Sequence, residues 1–170
     1  MGDLKTTRLR RQLDTRPGTV VGDYVPFYFC SRSIMMYVIH MANHPALEYR
    51  GGQQPIIHLE ADLGRVLDWV ELQEVRWAFS LGNATAVFTE FRAERGSLDE
   101  LRWDLIPKTT FTDPEVKEAK QSELLVHDFF PWELFDRVGT HSDRIAQLVA
   151  QALNDEQHRP VVQHMPGWYY

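Results

Sequence analysis

The stretch Gln121-Ser122-Glu123-Leu124-Leu125-Val126-His127 sets a carboxylate at the mouth of an apolar run that reads as a strand. A strand-edge glutamate facing a cleft can hold a sugar hydroxyl or stabilise a cationic transition state. The alternative is a strand-end carboxylate in solvent. His58, inside Ile57-His58-Leu59, is a ligand or a hydrogen-bonded residue of a strand face. Arg32 follows the aromatic run Tyr24-Val25-Pro26-Phe27-Tyr28-Phe29 and either binds an anion or caps the next helix. Cys30, beside the same run, is a small buried hydrophobe or a nucleophile. Gly51-Gly52 marks a turn, or a close approach of substrate to backbone.

Several chemistries lack their residues. The chain has no phosphate-cradling G-x-x-x-x-G-K-[ST], no G-x-G-x-x-G, no G-x-S-x-G elbow and no H-E-x-x-H among its seven histidines. One cysteine makes neither a zinc ribbon nor an internal disulfide, so no metal is expected and the natural setting is the cytoplasm. No run approaches the roughly 18 apolar residues of a membrane helix. Met1-Gly2-Asp3-Leu4-Lys5 has no apolar h-region; the Met1-Gly2 start with Thr6 also admits a myristoylation reading. The net charge of −6 argues against nucleic acid only as a sum. Residues 1–16 carry Lys5, Arg8, Arg10, Arg11 and Arg16 against Asp3 and Asp14, a net +3, and the remainder carries −9. The basic arm is either a solvated face or a contact for phosphate.

These groups need elements to hold them. At 170 residues and 44% hydrophobic, the chain is expected to form a single domain over 1–170. Tyr24 to Phe29 is aromatic and β-branched, a strand with Pro26 at its start, an edge or a bulge. Ile34, Met35, Val38, Ile39 and Ala42 repeat at helical spacing, predicting a helix over 34–44 before Pro45. Pro55 to Asp62, Trp77-Ala78-Phe79, Glu123 to His127 and Val161-Val162-Gln163 read as strands, and Ala84 to Arg92 reads as a helix. Asp113-Pro114 and Ser142-Asp143 each place an N-cap before a helical stretch. Strands and helices mix without βαβ alternation, which favours an α+β fold with a mixed or antiparallel sheet flanked by helices.

Taken together, Gly22-Asp23-Tyr24-Val25-Pro26-Phe27-Tyr28-Phe29, Arg32-Ser33-Ile34-Met35-Met36-Tyr37, Tyr49-Arg50-Gly51-Gly52-Gln53, Gly82-Asn83-Ala84, Gln121 to His127 and Pro166-Gly167-Trp168-Tyr169-Tyr170 resemble the DarT family, in family order and across nearly the whole chain. The resemblance implies an ADP-ribosyltransferase fold related to the poly-ADP-ribose polymerases. It implies NAD as co-substrate, cleaved at the nicotinamide–ribose bond, and a base of single-stranded DNA, thymine first, as acceptor. It also implies a bacterial toxin paired with DarG, a macrodomain antitoxin.

The family's catalytic glutamate falls on Glu123 and its catalytic arginine on Arg8, with Arg10 as the competing alignment. Arg8, Arg10, Tyr28 and Arg32 are the expected NAD contacts. Tyr49, Arg50, Arg76 and Trp77 are the expected DNA contacts, by stacking and phosphate pairing. Against the family pattern, the chain is expected to lack the N-terminal segment with the NAD-gripping histidine, and Ser31 and Ile34 stand where prolines are common. The competing readings are a truncated inactive remnant, and a nucleic-acid-binding module without transferase activity.

Overall fold

A computed structural model of the chain describes residues 8–42, 44–45, 47–86, 88–110 and 112–170. The Met1-Gly2 start and the charges Asp3 and Lys5 of the basic arm lie outside the described residues. The regular elements are β1 (Tyr24–Tyr28), α1 (Ile34–Met41), β2 (His58–Glu60), α2 (Leu63–Leu72), β3 (Trp77–Ser80), β4 (Phe91–Arg92), α3 (Pro114–Ala119), β5 (Glu123–His127), β6 (Arg137–Thr140), α4 (Asp143–Ala152) and β7 (Val161–His164), joined by short 3-10 turns. The chain divides into two compact units, residues 1–34 with 69–130, and residues 35–68 with 131–170.

The first unit is built on an antiparallel four-stranded sheet in the order β1-β5-β3-β4. All four residues of β3 and the first four of β5 are buried, as expected of interior strands made of apolar runs. Phe79, Phe91, Leu125, Val126 and Leu13 are almost without solvent contact and form its core. β1 pairs with β5 alone among the named strands, so Pro26 sits on an edge strand, where the absence of an amide hydrogen is tolerated. Asp113 caps α3 by accepting a hydrogen bond from the Glu115 amide, with Pro114 at the first helical position.

The second unit carries a three-stranded sheet, β2-β6-β7, antiparallel at β2–β6 and parallel at β6–β7. The parallel pair requires a crossover, which α4 supplies from its Ser142 cap. Trp168 lies against the backbone of Gly139, and a Cβ there would collide with the indole. Tyr169 stands edge-on to both His58 and His141, and its hydroxyl reaches the carbonyls of Ile56 and Gly139.

The α+β class holds, but several elements differ from their expected extents. α1 ends at Met41 because Ala42 takes a left-handed backbone (φ 51°). The strand expected over 55–62 contracts to His58–Glu60. The helix expected from Ala84 to Arg92 does not form. The Asn83 side chain accepts from both the amide and the hydroxyl of Thr85, and the Thr89 hydroxyl donates to the Asn83 carbonyl. These local bonds compete with helix and leave a looped connection ending in β4. Helix α2 and strand β6 were not anticipated, although Leu63, Val66, Leu67 and Val70 of α2 stand at helical spacing.

Candidate active site

Glu123 opens β5 and is 3% exposed. A buried carboxylate is costly unless it is paired and hydrogen-bonded. Here Arg8 supplies both conditions through a forked contact. Its Nη1 donates to Glu123 Oε1 at 3.0 Å, and its Nη2 donates to Oε2. Two parallel bonds from a planar guanidinium fix orientation as well as charge. Burial by itself lowers the Arg8 pKa, yet the hydrogen bonds and negative charge of Glu123 outweigh it and hold the guanidinium above its ordinary value. Arg8 is about a quarter exposed, so one side of the pair remains open to water.

The backbone of Glu123 is fixed as firmly as its side chain. Its amide donates to Ser80 Oγ at 3.0 Å, and that hydroxyl donates to the Gly82 carbonyl at 2.7 Å. Tyr28, the last residue of β1, lies directly opposite Glu123 in the β1–β5 register. Tyr28 is 41% exposed. Burial of the phenol and the nearby Glu123 carboxylate push the Tyr28 pKa up to about 12, so its hydroxyl stays neutral at working pH.

The turn that delivers Glu123 is anchored from two sides. Lys120 is buried and its Nζ donates to the carbonyls of Ile106 and Lys108, both at 2.9 Å. Gln121 accepts from Asn83 Nδ2 at 3.0 Å and donates through Nε2 to the Lys117 carbonyl. Burial raises the Cys30 thiol pKa, with Lys120 acting in the opposite direction, which keeps the thiol protonated and suits a packing residue.

The structure therefore brings three of the sequence candidates together, Arg8, Tyr28 and Glu123, all in the first unit. Arg10, the competing alignment, is exposed, whereas Arg8 makes the fork. Arg32 lies in the loop after β1. Arg76 is exposed at the start of β3, where its carbonyl accepts from the His127 amide. Trp77, expected among the DNA contacts, is 5% exposed and stacks on Phe79 in the core, so its ring offers no face to a base. Tyr49 and Arg50 belong to the second unit; Tyr49 is exposed and Arg50 Nη1 donates to the Ala42 carbonyl. Sequence reasoning missed Ser80 and Lys120. Neither has a local signature, because each acts through a partner distant in sequence.

A carboxylate held by a guanidinium, with a tyrosine opposite it in the sheet, on a central strand and with one open side, can receive a polyhydroxylated cationic group. Its two oxygens can accept from ribose hydroxyls and oppose positive charge on the ring. A model of the DarT family, described as ssDNA thymidine ADP-ribosyltransferase, matches residues 1–170. The chain belongs to the DarT family. A DNA ADP-ribosyl transferase of Thermus sp. (strain 2.9) is 35% identical over 170 residues, covering 98% of this chain and 78% of the relative. The fold is similar to that of Thermus sp. 2.9 DarT in complex with ADP-ribosylated ssDNA, with a TM-score of 0.89, 34% identity, 99% of this chain covered and 79% of that one. The same Thermus protein in complex with NAD+ matches with a TM-score of 0.86 at 35% identity, covering 96% of this chain and 81% of that one. Among the described residues no cluster of three or more His, Cys, Asp or Glu could hold a metal ion, and no helix is long and apolar enough to cross a membrane.

Proposed function

We propose that this DarT-family chain transfers ADP-ribose from NAD to a thymine base of single-stranded DNA, with Glu123 and Arg8 at the reacting centre. The observation that carries the assignment of roles is the fork between Arg8 and Glu123, two residues 115 positions apart that share one buried site. Glu123 accepts from the ribose hydroxyls and stabilises the oxocarbenium character that grows as the nicotinamide–ribose bond breaks. Tyr28, opposite Glu123 in the sheet, stands as a contact for NAD beside the same carboxylate. The thymine base closes a new bond to the ribose carbon and loses its proton to solvent. Arg8, which stays cationic, stabilises the negative charge that this loss places on the base. Arg10 and Arg32 stand as further contacts for the NAD pyrophosphate, and Tyr49, Arg50 and Arg76 as contacts for DNA. A base paired in a duplex hides its Watson–Crick edge, which accounts for the single-strand requirement.

The test is a set of single-stranded oligonucleotides incubated with the protein and NAD, each lacking one base type. The proposal expects product on every oligonucleotide except the one without thymine, and little on duplexes. Product on the thymine-free strand would move the acceptor to another base. No product on any strand would favour a binding module without transferase activity. In the cell we propose a cytoplasmic toxin held in check by a DarG-like macrodomain that removes the modification. Expression of the chain should arrest growth, and co-expression of such a macrodomain should relieve it.

A further inference from the structure

The connection between β3 and β4 is pinned at several points, yet it presents an aromatic ring fully to water. The Leu81 amide donates to the Glu90 carbonyl at 3.0 Å and closes its base. Ala84 is fully buried and Thr89 nearly so. At one end Asn83 holds Gln121, two residues before Glu123. At the other, Arg11, three residues after Arg8, donates through Nη2 to the Thr89 carbonyl at 3.4 Å. Between these anchors Phe88 is 94% exposed, the most exposed of the large apolar residues described. The loop is thus tied to both segments that carry the reacting pair, with buried residues on either side of an outward phenylalanine.

We infer that Phe88 is a stacking platform for a nucleobase flanking the modified base in the acceptor strand. The inference rests on the reading of the chain as a single-stranded DNA transferase. A flexible single strand has to be held beside the reacting pair, and an aromatic face does this without regard to sequence because every base has a π-face. Thr89, next to the ring, is held by bonds to Asn83 and Arg11, so anchoring at this point limits what must be ordered on binding.

The experiment uses a single-stranded oligonucleotide with one thymine and 2-aminopurine on either side of it, with wild type, Phe88→Ala and Phe88→Trp. Binding quenches 2-aminopurine stacked on the ring, and steady-state kinetics with NAD give KM for DNA and for NAD separately. The expected result is quenching by wild type and by Phe88→Trp, with quenching lost in Phe88→Ala. KM for DNA should rise about ten-fold in Phe88→Ala, the loss of one stacked base, while kcat and KM for NAD stay near wild type. Because the ring touches almost nothing in the fold, thermal melting should be the same in all three. Unchanged quenching and KM for DNA in Phe88→Ala would overturn the inference and leave the transferase reading intact. A wild-type protein that neither binds nor modifies the strand would overturn that reading, and this inference with it.

Discussion

In the first unit the buried carboxylate of Glu123 meets two guanidinium nitrogens, and the Glu123 amide meets a serine hydroxyl. In the second unit His58 Nε2 and His141 Nδ1 are buried without a hydrogen-bond partner beside the edge-on ring of Tyr169, and so is Gln53 Nε2, whose Oε1 accepts from the Tyr170 amide. The strands differ in the same sense. β3 and most of β5 are buried, while β2 and β7 are half-buried to exposed. A buried charge costs far more unpaired than a neutral polar atom does. The first sheet buries its ion pair, whereas the second carries one, Arg137 with Glu60, at the surface and buries the ring of Tyr169 instead.

The comparison can be broken most forcefully in the core. Phe79→Ala empties a fully buried site in β3 and should cost about 3–5 kcal/mol in urea unfolding. A value near that of a surface change would remove the claim that the first sheet holds the core. Next comes the charged pair. Arg8→Met strands the Glu123 charge and should cost about 2 kcal/mol, less than the roughly 3–5 of a fully enclosed pair because Arg8 is part-exposed. Adding Glu123→Gln to Arg8→Met should restore most of that loss without restoring activity. A double variant no more stable than Arg8→Met would show that the carboxylate is not stranded.

A smaller effect should appear in the second unit on acidification. Burial lowers the His58 pKa below its ordinary 6.5. The unfolded chain then takes up the proton first, so stability is lost as pH falls below about 6.5 toward the folded-state pKa, and is fully present above it. The melting temperature of His58→Gln should fall less than that of wild type between about pH 7.5 and about pH 5. Parallel curves would mean that His58 is not the group responsible. The smallest change is Val161→Ala on exposed β7, expected within about 0.5 kcal/mol of wild type.

Parts of this arrangement are visible in the residue order alone. Glu123 to His127 reads as a strand because its apolar run is unbroken and begins at a polar turn, and the bounds observed are the ones expected. Ser142 and Asp113 announce their helices because a cap is local chemistry. The loop after Ser80 misleads, since Thr85 and Thr89 offer Asn83 hydrogen bonds that composition does not weigh against helix. That Arg8 rather than Arg10 meets Glu123 has no local signal, because that partner lies 115 residues on, in the interior strand β5. Trp77 was misread for a related reason. An aromatic residue at a strand end looks alike on either face until its stacking on Phe79 is seen.

The central claim is that Arg8 and Glu123 form the reacting pair of a single-stranded DNA ADP-ribosyltransferase. Mass spectrometry of a thymine-containing strand after incubation with NAD tests it most directly, comparing wild type, Glu123→Gln and Arg10→Ala. The account predicts a gain of one ADP-ribose with wild type and, at saturating NAD and DNA, with Arg10→Ala, and a rate lower by roughly 10²–10³ in Glu123→Gln. Full modification by Glu123→Gln, or loss of modification in Arg10→Ala even at saturating NAD and DNA, would contradict it.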